Sequence, residues 1–191
     1  MSTPGSGGRR ADAVRNRQLA LEAATALLAE PGAVLTVEAI AKRAGLGAGT
    51  VVRAFGGKDA LLDAAVADLL EPVVRRAEEL LDQMPAVEAL RTFLAELIAF
   101  QSAHHAINDQ LVGLDLPATT ARRAELVGAV ERLIDGARRD GAVRDDIDPG
   151  LMTTLVGQTA FAVARARPES PELTDAFLTV IMDGLRPRPS A

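Results

Sequence analysis

Residues 35–62 read LTVEAIAKRAGLGAGTVVRAFGGKDALL. The pattern predicts two short helices joined by a glycine-bearing turn, with a third helix starting at once. Thr36 is placed to cap the first helix, and Val37, Ile40, Ala41 and Ala44 give it an apolar face. Gly45 can take the left-handed conformation that ends it, and Leu46 can tuck into the core behind. Gly47 then opens a second helix, Ala48 to Ala54, with Val51 and Phe55 inward and Ala48, Thr50, Val52 and Arg53 on the outer side. Gly56-Gly57 breaks the chain, and Lys58 begins the next helix. A helix-turn-helix has this spacing because one helix braces another that lies in a DNA major groove.

Working outward, a first helix is expected from about Ala11 to Glu30, burying Leu19, Ala23, Ala26 and Leu27 and stopped by Pro31-Gly32. Residues 1–10, MSTPGSGGRR, read as a disordered arm, made locally basic by Arg9, Arg10, Arg15 and Arg17. After the motif a long helix runs from Lys58 towards Asp82, with Leu62, Ala65, Leu69, Val73, Ala77 and Leu80 on one face. Pro72 lies inside it and predicts a kink or break. Pro85 precedes a helix over 86–102 with Leu90, Phe93, Leu94, Leu97 and Ile98 apolar, and a less regular stretch runs from His104 to Leu116. Pro117 opens a helix carrying Leu126, Val130, Leu133 and Ile134, closed near Gly141. Asp148 then caps a helix whose first position is Pro149. The last two helices cover 150–166 and 172–185. Leu151, Leu155, Thr159, Ala162 and Val163 mark a face of the first; Leu173, Phe177, Val180, Ile181 and Leu185 mark a face of the second. The fold class is all-α.

Composition narrows the function. A hydrophobic content of 48% with five Phe and no Trp or Tyr means a core of Leu, Val and Ala, which suits packed helices. Absence of cysteine excludes disulfides, thiolate zinc sites and thiol catalysis. No run approaches a membrane span, and residues 1–10 lack the apolar centre of a signal peptide, so a cytoplasmic protein is expected. The net charge of −5 divides unevenly: residues 1–62 carry eight Arg/Lys against five Asp/Glu, and the remainder thirteen against twenty-one. Local charge governs phosphate attraction, so the acidic remainder does not argue against DNA.

The motif closely resembles the N-terminal DNA-binding domain of TetR/AcrR-type transcriptional regulators. The resemblance is carried by Thr36, Ile40-Ala41, Ala44-Gly45, Gly49-Thr50, Phe55, Lys58 and Leu61-Leu62, with Arg17 to Ala20, Ala23-Ala24 and Leu27-Leu28 upstream. Two positions depart from the family pattern: Gly47 stands where a serine is usual, and Val52 where a tyrosine or tryptophan is usual. Glycine still serves as an N-cap. Valine loses a phosphate-binding hydroxyl but can touch a thymine methyl.

The resemblance implies a helix-turn-helix domain over 11–57, a linking helix over 58–82 that makes a kink at Pro72 a candidate hinge, and an effector-binding and dimerisation domain over 83–187. Double-stranded operator DNA, a small-molecule effector and a homodimer through 150–166 and 172–185 are the implied partners. Thr36, Thr50 and Lys58 are assigned to phosphates; Lys42, Arg43, Gly47, Ala48, Val52 and Arg53 complete the candidate DNA-binding set. Phe93, Leu97, Phe100, Gln101, His104, Gln158 and Phe161 are the candidate lining of an apolar effector cavity.

Competing chemistry is thin. His105 and Asp109 share a helix face at i, i+4 spacing, but a metal site needs further ligands, and no Glu-x-x-His pair exists. No P-loop or dinucleotide fingerprint occurs, and no strand pattern exists to carry a nucleophile elbow, so neither cofactor nor catalysis is expected. The alternative is an all-helical interaction or structural bundle without DNA binding.

Overall fold

The computed structural model describes residues 6–28, 30, 35–104, 111, 113–166 and 170–188. The described residues form eight helices: α1 (Ser6–Leu28), α2 (Val37–Ala44), α3 (Ala48–Phe55), α4 (Lys58–Gln83), α5 (Ala86–Ala103), α6 (Pro117–Arg139), α7 (Pro149–Ala166) and α8 (Pro171–Leu185). No strand occurs among them, so the all-α expectation holds. None of these helices is long and apolar enough to cross a membrane. The helices belong to two compact units, one built from Met1–Leu69 with Ala106–Thr120, the other from Leu70–His105 with Ala121–Ala191. The boundaries between them fall within α4, between His105 and Ala106, and within α6.

In the first unit α1, α2 and α3 pack against one another in all three pairings. The buried side of α1 is Ala20, Ala23, Ala24 and Leu28, rotated by about one residue from the expected set; Leu19 is exposed. The face in use places three alanines and one leucine inward, where α1 packs on α2 and α3. Helix α1 starts at Ser6 rather than Ala11, so residues 6–10 of the expected arm are helical; residues 1–5 and the Pro31-Gly32 stop lie outside the described residues. Helix α4 continues through Pro72 without a break. Pro72 is exposed, so water can satisfy the carbonyl that its missing donor leaves free.

The second unit has one core. Leu90, Phe93, Leu94, Leu97 and Ile98 of α5 meet Val130, Leu133 and Ile134 of α6, Met152 and Val156 of α7, and Phe177 and Leu178 of α8. Helix α5 packs on α7 and α8, which also pack on each other. On α7 the face marked by Leu151, Leu155, Thr159 and Ala162 is exposed, while Met152, Thr153, Val156, Ala160 and Ala164 turn inward. The α6–α7 turn is fastened by Arg144. Its backbone N–H donates to the Leu185 carbonyl (2.8 Å), and its guanidinium forks onto Asp146 (2.5 and 2.6 Å). Asp148 caps α7 through the Leu151 amide (3.0 Å), and Pro149 takes the first position, as the sequence predicts.

Two expectations follow. A methyl group at Gly136 of α6 would lie 2.8 Å from the Ala86 Cβ of α5, a contact that neither short side chain can relieve by rotating. Alanine gains about 1 kcal/mol of helix propensity over glycine. Forcing the helices apart costs about 1–3 kcal/mol. Gly136→Ala should therefore lower stability, measured by denaturant unfolding. A helix-propensity effect alone predicts the opposite sign.

The second concerns pH. The Arg144 hydrogen bond, more than any other cause, lowers the Asp146 carboxyl from 3.8 to about 2. A carboxyl lowered by folding stabilises the native state above its unfolded pKa and loses that contribution as pH falls through the folded value. Stability should thus decline between about pH 4 and pH 2, and Asp146→Asn should flatten that part of the profile, read by thermal unfolding across the acid range.

Candidate nucleic-acid interface

Local chemistry builds the α2–α3 pair. The Thr36 hydroxyl accepts the Ala39 amide (3.1 Å) and caps α2. Gly45 ends the helix at φ +67°, and the Leu46 amide closes the turn on the Ala41 carbonyl (2.9 Å). A Cβ at that φ is strained in any L-residue, so the sharp change of direction depends on glycine. Gly47, in extended backbone and without a side-chain cap, opens α3. Ile40 and Ala41 of α2 and Val51 and Phe55 of α3 are buried.

Two further ties hold this unit, and both start outside α2, α3 and the turn between them. The Arg17 guanidinium of α1 donates to the Ala54 carbonyl at the end of α3 (2.6 Å) and lies 4.0 Å from the centre of the Phe55 ring. Arg17 therefore grips α3 and does not belong to a loose basic arm. Asp63, a buried carboxylate on α4, accepts the Ala118 amide (2.9 Å) and the Thr119 amide (2.7 Å) in the first turn of α6. The Thr119 hydroxyl returns a bond to the Asp63 carbonyl (3.2 Å). An acidic group on the free amides of a helix start satisfies otherwise orphaned donors. The partners lie more than fifty residues apart in the chain, so no local pattern announces them.

The candidate DNA-binding residues fall as follows. Lys42, Arg43, Gly47, Val52, Arg53 and Lys58 are exposed; Thr36, Ala48 and Thr50 are half-buried. Arg43 is paired with Glu30, and the Arg53 guanidinium donates to the Thr50 hydroxyl (3.3 Å). Lys58 stands at the first position of α4. The arrangement offers a short helix whose open side carries one guanidinium and one isopropyl group, flanked by cations at the end of α2 and the start of α4.

The effector candidates all lie in the second unit. Phe93 and Leu97 belong to its core. Phe100 and Gln101 are half-buried, and His104 Nδ1 lies 2.7 Å from the Phe100 carbonyl, its ring 4.5 Å from the Phe100 ring. Phe161 is half-buried and Gln158 exposed. The Gln101 Oε1 and Thr153 Oγ1 atoms are buried without a hydrogen-bond partner among the described residues. An open cleft of about 350 Å³ elsewhere in this unit, between Val87 and Arg91 of α5 and Thr179 and Met182 of α8, includes none of the seven. The histidine–aspartate pair His105 and Asp109 lies outside the described residues.

Known proteins resemble the chain along nearly its whole length. Residues 20–65 match the family model described as bacterial regulatory proteins, tetR family; residues 85–187, more than half of the chain, match one described as transcriptional regulator SbtR-like, C-terminal domain. The chain is 28% identical to the HTH-type transcriptional repressor KstR2 of Rhodococcus jostii (strain RHA1), over 96% of this chain and 94% of that one. Among solved structures it resembles the TetR transcription regulatory protein from Mycobacterium vanbaalenii (34% identity, 93% and 98% covered, TM-score 0.65). It also resembles the TetR transcriptional regulator SCO0520 from Streptomyces coelicolor (29% identity, 91% and 99% covered, TM-score 0.67).

Removing the Asp63 carboxylate strips the acceptor from two amides at once. Asp63→Ala should destabilise the protein by about 2–4 kcal/mol, the cost of leaving such donors unsatisfied. Hydrogen exchange should show the Ala118 and Thr119 amides losing protection first. Unchanged protection at those amides would remove Asp63 as their anchor.

Proposed function

The chain belongs to the TetR family of bacterial regulatory proteins, and on that premise we propose that it is a ligand-responsive transcriptional repressor. It binds a near-palindromic operator as a homodimer and is released by a small, mostly apolar effector. The observation that carries this reading is the α2–Gly45–α3 geometry, which turns Val52 and Arg53 outward while Lys42 and Lys58 are exposed at its edges. Repression is the role named for the Rhodococcus jostii relative. The protein works in the cytoplasm, where its operator lies, and acts by binding alone, without catalysis.

Two features of the second unit support the rest. Leu151 and Leu155 of α7 are each 62% exposed and Val180 of α8 is 70% exposed. Large apolar side chains left to solvent on adjoining helices suit a self-complementary two-fold interface, and α7 with α8 supplies it here. Dimeric helix-turn-helix proteins read half-sites about 34–36 Å apart, or a multiple of that. The effector site is drawn from Phe93, Leu97, Phe100, Gln101, His104, Gln158 and Phe161. The Gln101 Oε1, buried with no donor among the described residues, supports it, because such an acceptor is what a ligand N–H or O–H satisfies. The effector must bind the DNA-incompetent arrangement more tightly, and α4, shared by both units, is the element that passes the change on.

The test is a footprint on duplex DNA with the full chain, paired with light scattering. Two protected half-sites and a dimer are expected; a monomer with no footprint overturns the reading. Lys58→Ala should weaken binding to all sequences alike and reduce the slope of log affinity against log salt by about one. An unchanged slope removes Lys58 from the phosphate contacts.

A further inference from the structure

The recognition helix α3, AGTVVRAF, contains only two side chains able to hydrogen-bond, Thr50 and Arg53, and they are bonded to each other (3.3 Å). Successive residues advance about 100° around a helix. With Val51 and Phe55 buried, Gly49 and Arg53 centre the open side, Val52 lies on one flank and Thr50 on the other. Gly49 has no side chain, and the Arg53 guanidinium uses that room: its Nη1 lies 3.4 Å from where a Gly49 Cβ would stand. Its Nη2 is at the same time bonded to the Thr50 hydroxyl, on the flank away from Val52. The Val52 isopropyl group, 40% exposed, is left uncovered on the other. It is the one large exposed apolar side chain among the described residues of α2, α3 and the turn between them.

An apolar group on a major-groove helix has one distinctive partner on DNA. Thymine carries a C5-methyl there, and the other three bases offer only hydrogen-bonding groups or bare ring edges. We infer that Val52 reads a thymine methyl in each operator half-site, so that sequence choice at that position rests on an apolar contact. The inference rests on the DNA-binding reading above and adds to it the chemical group recognised. Burying one methyl or methylene is worth about 0.8 kcal/mol, which corresponds to roughly a fourfold change in affinity.

Deoxyuridine differs from thymidine by that methyl alone, which makes the test direct. An operator is selected from random-sequence duplexes with the full chain, and each thymine is then replaced singly by deoxyuridine. At one thymine per half-site the wild-type protein should lose about fourfold in affinity. Val52→Ala should bind the thymine duplex similarly weakly and lose nothing further on the deoxyuridine duplex. Val52→Thr keeps the side-chain shape and guards against a folding defect; it should also show a reduced methyl effect, with an unaltered circular dichroism spectrum. A methyl effect that persists undiminished in both variants, or a selected operator in which no thymine methyl matters, overturns the inference and leaves the DNA-binding reading standing. Failure to retain any duplex overturns that reading itself, and this inference with it.

Discussion

Close approach between helix backbones is the constraint on which both units depend. With five Phe and no Trp or Tyr, the chain cannot fill wide gaps between helices with large rings. Interiors must nevertheless reach crystal-like density, because even a narrow gap forfeits much of the dispersion attraction across it. The chain meets this with small residues at the contacts: Ala20, Ala23 and Ala24 on α1, Ala129 and Ala137 on α6, Ala160 and Ala164 on α7. At Gly136 the approach is so near that even one methyl does not fit.

Seams of alanine have a cost in direction. A smooth surface of methyl groups can be packed in several registers with similar burial, so something else must select one. A few long-range polar contacts do this. Arg17 clamps the end of α3, Asp63 anchors the start of α6, and Arg144 fastens the α6–α7 turn to the end of α8. Each joins backbone groups at helix ends, where carbonyls or amides lack partners within the helix. Their geometry is directional where that of the seams is not, and hydrogen bonds to charged groups are individually stronger than neutral ones.

The recognition surface follows from the same economy of side chains. A protein with a net charge of −5 approaches a polyanion through local cations only, and Arg43 is already paired with Glu30. Lys42, Arg53 and Lys58 remain as the exposed cations of the motif with no carboxylate within ion-pair distance in the described residues. On the proposed DNA-binding reading, three such groups steer and orient, and a larger share of discrimination falls to shape and to the apolar flank of α3.

Much of this was legible in residues close together in the chain. Thr36 as cap, Gly45 as left-handed stop, Asp148 before Pro149, and the inward Val51 and Phe55 all act within one or two helical turns, so spacing alone determines them. Five apolar positions of α5 are legible for the same reason: a stripe of large apolar residues leaves one choice of face. The inward side of α1 was not legible, because Leu19 and Ala20 compete and only the neighbouring helices decide between bulk and closeness. Nor were the roles of Arg17 and Asp63, whose partners are brought to them by folding. Local sequence determined which elements form and where they stop. Tertiary structure alone decided which faces meet and which charged groups are used up inside the protein, because burial and pairing belong to two distant segments at once.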